Sequence, residues 1–271
     1  MLIDTHCHLN FKAFRKDVDQ VIQRAKRAGV EKMLVVGADL KTSQKAIDLA
    51  QKYDGLYASV GIHPHHVNSL DNNDLDITKE KLINLTKNKK VVAIGETGLD
   101  YFQYKNSKYG EIKLTKEIKD LQKSLLNLHL DLAQHLNLPL IIHCRQAFAD
   151  LLAILTEKNK NFNLKGVLHC FSGSKTHLTQ VLDLGFKVGF DGNITYSSRN
   201  DLRSLIKITP LEKILLETDS PFLTPKPFRG KRNEPKNLKI IAQKIAHLKN
   251  ISLEEVSKKT TANADFLFKL S

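Results

Sequence analysis

The chain has 271 residues, 41% hydrophobic and 26% charged, which suits an ordered globular protein and excludes a disordered or fibrous one. Its 42 lysines and arginines against 29 aspartates and glutamates give a formal charge of +13, which draws polyanions, nucleic acid first among them. Three cysteines make no disulfide framework, and no apolar run approaches the ~20 residues of a membrane span, so a cytoplasmic protein without membrane association is expected.

Short apolar runs alternate with amphipathic stretches from one end to the other. Strands are predicted at residues 2–5, 32–37, 57–62, 91–95, 138–143, 166–170, 186–189 and 214–217. Helices are predicted between them at 17–28, 41–52, 76–87, 111–136, 147–158, 175–184 and 198–208, with two more at 236–248 and 253–268. The first of the last two follows Pro235, and the second opens after Ser252, a suitable N-cap. Strands that are apolar almost throughout point to a parallel sheet covered on both faces. Eight βα units in series close into an α/β fold, a single (β/α)₈ TIM barrel across residues 1–271. A doubly wound open sheet would carry a Gly-rich turn after its first strand, and none is present.

The residues with metal-binding chemistry fall where that barrel would gather them. His6 and His8 follow the first predicted strand, and His63 and His65 the third. Glu96 follows the fourth, His143 ends the fifth, His169 lies at the end of the sixth and Asp219 follows the eighth. The carboxyl ends of barrel strands converge on one face, where active sites are built. His6 and His8, two apart on extended chain, share a side and can address one cation. Cys7, Cys144 and Cys170 each neighbour a histidine and are expected to point the other way, into packing rather than toward a cation. Burying four histidines and two carboxylates together is costly unless divalent ions neutralise them.

These segments resemble the TatD-type metal-dependent deoxyribonucleases, a family of amidohydrolase-like barrels. The resemblance spans the chain through Ile3-Asp4-Thr5-His6-Cys7-His8-Leu9, Gly61-Ile62-His63-Pro64-His65 and Ala93-Ile94-Gly95-Glu96-Thr97-Gly98-Leu99-Asp100-Tyr101. It continues through His143-Cys144-Arg145, His169-Cys170-Phe171-Ser172-Gly173, Glu217-Thr218-Asp219-Ser220-Pro221 and Arg229-Gly230-Lys231-Arg232-Asn233-Glu234-Pro235. It implies two divalent cations and activity with Mg²⁺ or Mn²⁺, while the histidine-rich donors themselves favour Zn²⁺ or Mn²⁺. His6, His8, Glu96 and Asp219 would hold one, and Glu96, His143 and His169 the other, with Glu96 bridging. His63 and His65 would then stand at the rim, His65 near phosphate or a proton in transit.

On this reading the chain hydrolyses phosphodiester bonds in DNA or another nucleic acid, with Asp219 as general base and Glu96 as the bridge. Arg145 shares the parity of His143 and its fork suits a phosphate oxygen, the alternative being an ion pair with Glu217. Residues 229–234 would track a phosphate chain or pack on the rim through Glu234, and Tyr101 and Phe102 would stack on a base or pack in their loop. His129, His135, His177 and His247 lie on predicted helices and read as packing or surface residues. A related barrel cleaving ester or amide bonds, such as an aminoacyl-tRNA deacylase, is the competing reading.

Overall fold

Eight strands form, and their carboxyl ends carry the histidines. They are β1 (Leu2–Cys7), β2 (Val30–Val36), β3 (Leu56–Val60), β4 (Val91–Asp100), β5 (Leu140–Arg145), β6 (Gly166–Leu168), β7 (Lys187–Phe190) and β8 (Ile214–Leu216). The computed structural model describes residues 1–69, 75–103 and 114–270. All the strands pair in parallel and in chain order. Every residue of β1, β3 and β4 is buried, which is why these strands are not patterned by simple alternation of apolar and polar residues.

The sheet nearly closes, and its seam lies at the site. β8 meets β1 through one parallel bridge between Cys7 and Ser220. Three hydrogen bonds support it: Thr5 Oγ1 donates to the Leu216 carbonyl (3.0 Å), Asp219 N to His6 O (2.9 Å) and His8 N to Ser220 O (2.8 Å). The chain's first and last strands are thereby tied together beside two of the candidate ligands.

Helices α1 (Val18–Arg27), α2 (Leu40–Lys52), α3 (Leu75–Thr86), α4 (Lys116–Leu136), α5 (Phe148–Asn159), α6 (Lys175–Asp183) and α7 (Asn200–Ile208) connect the strands. α8 (Leu238–Lys249) and α9 (Leu253–Phe268) follow β8. The predicted helix start at residues 111–113 lies outside the described residues. Local chemistry sets several of these ends. Asp39 and Thr42 form a capping box on α2, Ser174 and His177 form one on α6, and Ser252 accepts from Glu255 N at the start of α9. α4 stops at Asn137 in the left-handed region (φ 51°), just before Pro139. α8 opens two residues later than expected because Pro235–Asn237 forms a 3₁₀ turn.

Two apolar layers sandwich the strands. Ile3, Leu34, Val36, Ala93, Ile141, Val167 and Leu215 come from strands all round the sheet yet belong to one cluster, so they fill the barrel interior. Ala264, Leu267 and Phe268 of α9 and Leu270 beyond it join that cluster. Met33, Val35, Ala58, Ile142, Leu168, Val188 and Leu216 face the other way and pack under the helices.

Candidate metal centre

Strict alternation from Ile3 would turn Thr5 and Cys7 into the barrel mouth. The β1–β2 register breaks between Asp4 and Cys7, and Cys7 joins the layer under the helices, its thiol donating to Leu34 O (3.4 Å). His6 and His8 take the inward positions instead. The β4–β5 register breaks in the same way between Ile94 and Thr97, and Glu96 turns inward although Ala93 already faces the interior. Both breaks act as bulges that re-aim a side chain. Gly61 makes room for the second: a Cβ there would lie 2.6 Å from Gly95 C and 2.9 Å from Glu96 O.

Four donor atoms meet at the seam. His6 Nε2 and His8 Nε2 are 3.2 Å apart. Glu96 Oε2 lies 3.4 Å from the first and 3.8 Å from the second, and Asp219 Oδ1 lies 4.0 and 3.4 Å from them. Ligands about 2.1 Å from a tetrahedral ion are separated by roughly 3.4 Å, so the spacing fits a cation among them. The other oxygen of Glu96 faces a second set. Glu96 Oε1 is 3.2 Å from His143 Nδ1, 3.6 Å from His63 Nε2 and 3.8 Å from His169 Nε2. His63 therefore sits deeper than a rim residue. His6, His8 and Glu96, and separately His63, Glu96 and His143, are close enough to share an ion.

A further layer fixes the rings. His8 Nδ1 faces Val36 O at 3.1 Å, and His169 Nδ1 faces Glu217 Oε2 at 3.0 Å. Asp100 Oδ2 receives two imidazoles, His65 Nε2 at 2.7 Å and His143 Nε2 at 3.2 Å. Such partners set the tautomer and aim of a metal-binding imidazole. Glu217 has space because Gly189 lacks a side chain: a Cβ there would come within 2.1 Å of its carboxyl group. Asp4 Oδ1 accepts from His6 N (3.3 Å) and Thr218 N (3.0 Å), while Oδ2 accepts from Thr218 Oγ1 (2.6 Å), locking the loops before both seam ligands.

The electrostatics agree with a cation site. Burial opposes charge on Glu96, but the imidazoles of His63, His6 and His143 outweigh it and hold the carboxyl well below its usual range. Asp219 is likewise held low against burial by His8, His169 and His6. Burial also opposes charge on His143, yet Asp100 and Glu96 lift it to about 9, and His169 is raised against burial by Glu217 and Glu96. Burial, with the nearby Glu217 carboxylate, pushes Asp4 up to about 8 against the hydrogen bonds from Thr218 and His6. It likewise pushes Cys144 up to about 12 and Cys7 and Cys170 well above the usual thiol range, which disfavours the thiolate a metal would need. Among the described residues no cysteine belongs to a metal-competent cluster.

Arg145 does not pair with Glu217, whose carboxylate is engaged by His169 and by Cys170 N (3.0 Å). Its guanidinium instead lies 3.8 Å from the centre of the Phe102 ring. Tyr101 is a packing residue: its hydroxyl donates to Asp150 (2.8 Å) and Lys119 covers its ring. Arg232 bonds to Asp17 and Glu234 on the rim, and Arg24 adds a second bond to Glu234 (2.8 Å). His129 is fully buried in packing, accepting from Ile62 N (3.1 Å) and facing Leu125 O (2.7 Å). Asp100 and Asp4 have no role in the sequence pattern, and Glu217, expected there only as a partner for Arg145, serves His169 instead. Asp100 shares the parity of Glu96 once the strand runs on to residue 100, five residues past Gly95.

A family model described as TatD related DNase matches residues 3–269. The chain belongs to the TatD family. It is a metal-dependent hydrolase of that family. Over 271 residues it is 40% identical to the uncharacterized metal-dependent hydrolase YabD of Bacillus subtilis, with all of both chains covered. It is 34% identical to the 3'-5' ssDNA/RNA exonuclease TatD of Erwinia amylovora, covering 99% of this chain and 100% of that one. The crystal structure of YJJV, a TatD homolog from Escherichia coli, superposes with a TM-score of 0.87 at 31% identity, covering 100% and 98% of the two chains. Among the described residues no helix is long and apolar enough to cross a membrane.

Proposed function

We propose that the chain hydrolyses phosphodiester bonds of single-stranded DNA or RNA with two divalent cations. One observation carries this reading: Glu96 turns one carboxylate oxygen toward each of two donor sets. His6, His8, Glu96 and Asp219 would hold one cation, and Glu96, His143 and His169 the other, with His63 beside the second. The imidazole-rich donor set favours Zn²⁺ or Mn²⁺ over Mg²⁺, which prefers oxygen ligands. When bound, such ions lower the pKa of water and polarise the phosphoryl oxygen.

The chain's own groups do the rest. Asp219, kept ionised near neutral pH, takes the proton of the attacking water. His65, anchored on Asp100, stands ready to hand a proton to the leaving oxygen. Arg145, stacked on Phe102, contacts a non-bridging phosphate oxygen. The charge of +13 and the exonuclease named among the relatives both favour nucleic acid over an uncharged ester. Three free cysteines suit the reducing cytosol, and one barrel from β1 to β8 suits a single-domain enzyme.

End-labelled single- and double-stranded DNA, RNA, aminoacyl-tRNA and a panel of amides are digested with Zn²⁺, Mn²⁺ and Mg²⁺ in turn. Degradation of single strands is expected, and Asp219→Asn should abolish it while metal binding partly persists. Turnover of esters or amides with intact DNA and RNA overturns the reading.

A further inference from the structure

We infer that Phe222, backed by Phe11 and His8, is a platform on which a nucleobase stacks, and that Arg229 on Tyr196 receives a neighbouring phosphate of the same strand. The inference rests on the phosphodiesterase reading and adds how a single strand is held.

Three rings lead outward from the seam donors. The Phe11 ring stacks on His8, 4.3 Å between centroids and 17° from parallel. Phe222 meets both edge-on, 6.2 Å from His8 and 6.3 Å from Phe11. It stays 38% exposed, three residues beyond Asp219. A nucleotide whose phosphate sits at the seam donors carries its base roughly one nucleotide length away, the reach of this ring.

The exposed ring is not loose. Phe222 N donates to Asp219 O (2.8 Å), and Asn233 Nδ2 donates to Phe222 O (2.7 Å) and Thr218 O (2.8 Å). Asn233 itself is fully buried and donates its own N–H to Pro221 O (3.1 Å). Leu223 is held in the left-handed region at φ 49°, a costly conformation for a leucine. A lone exposed phenylalanine is ordinary. One whose backbone is bonded on both sides, beside metal-type donors, is a pre-set contact surface.

Arg229 is the matching charge. Its guanidinium lies over the Tyr196 ring at 4.4 Å, and among the described residues no hydrogen bond or ion pair engages it. Tyr196 is fixed by its hydroxyl on Thr224 O (3.0 Å), in the loop that carries Phe222. Arg232 and Arg24, by contrast, are already bonded to carboxylates. Every base has a π-face, so the platform tolerates any sequence. A paired base has both faces covered, so the platform selects single strands.

The test is binding of hydrolysis-resistant phosphorothioate pentamers to the metal-loaded protein, one of thymidylate and one abasic with the same phosphates. Wild type should bind the thymidylate pentamer roughly tenfold more tightly than the abasic one. Phe222→Ala should bring that ratio to about one, and Phe222→Trp should keep it. Arg229→Ala should weaken both pentamers alike and lower the log–log salt slope by about 0.7. A ratio unchanged in Phe222→Ala overturns the platform. Loss of both pentamers alike in that variant also overturns it. Hydrolysis is measured separately on ordinary DNA. A protein that cleaves nothing but shows the ratio refutes the phosphodiesterase reading alone, and one that cleaves without the ratio refutes the platform alone.

Discussion

Asp100 takes two imidazole N–H groups on a single oxygen, His65 at 2.7 Å and His143 at 3.2 Å. Its other oxygen accepts from Phe102 N (2.9 Å), and its own N–H donates to Gln122 of α4 (2.9 Å). Those two imidazoles hold the carboxyl well below its usual range although burial works against charge. An amide there keeps the shape, but with its oxygen turned to both rings its NH₂ group faces the Phe102 N–H, and the negative charge that holds the rings is lost. Asp100→Asn should weaken the cation beside His143 by about 10- to 100-fold and leave the His6–His8 cation largely intact. Calorimetric titration with Zn²⁺ would then resolve two affinities where wild type shows closer ones, and an unaltered isotherm counts against the role. The six proposed ligands were legible because each is an ionisable residue at the end of an apolar run. Asp100 and Glu217 were not, since a carboxylate that orients a histidine looks in sequence like any polar residue after a strand. Their roles come from which face the chain turns.

At the scale of elements, α4 is coupled to the loop after β3 by His129. That ring faces Leu125 O through Nδ1 and must keep Nε2 bare to accept from Ile62 N. Burial lowers its pKa to about 4, the bond to Leu125 only partly offsetting the effect. The unfolded chain, with a histidine near 6.5, takes up a proton that the folded chain refuses. Stability from this group is therefore complete above pH 6.5 and is lost as pH falls toward 4, by about 3 kcal/mol. Urea unfolding at pH 7 and pH 4.5 measures it, and His129→Gln should remove that part of the difference. An identical pH response in the variant would reject the assignment. Element order and type were readable from hydrophobic runs and caps such as Ser252. The register breaks in β1 and β4 were not. They depend on pairing with β2 and β5, which no local pattern records, and they decide that His8 rather than Cys7 turns inward.

For the whole molecule, the two donor sets draw on β1, β4, β5 and the loops after β3, β6 and β8, so cations bound there would join most of the barrel's circumference. A ligand that binds only the folded state at 100 to 1,000 times its Kd adds about 3–4 kcal/mol. Stripping the metal with a chelator should thus lower the melting temperature by on the order of 10 °C and abolish hydrolysis, with both restored by Zn²⁺ or Mn²⁺. Scanning calorimetry with and without chelator is the measurement, and coincident transitions would count against metals at this site. The barrel itself was legible because eight βα units in series leave few ways to bury both faces of a parallel sheet. The loop carrying Phe222 was not, because its shape depends on Asn233 reaching back to Thr218 and Phe222.

The seam between β1 and β8 carries one more implication. His6 leaves the ribosome long before Asp219, yet Asp219 N bonds directly to His6 O. A growing chain holds no complete seam site until its eighth strand has emerged. Synthesis itself therefore acts as a timer: a half-made copy, surrounded by messenger RNA, lacks the carboxylate proposed to activate water. With Asp219 as the proposed base, a fragment ending before residue 219 would be disarmed by the order in which the barrel is written.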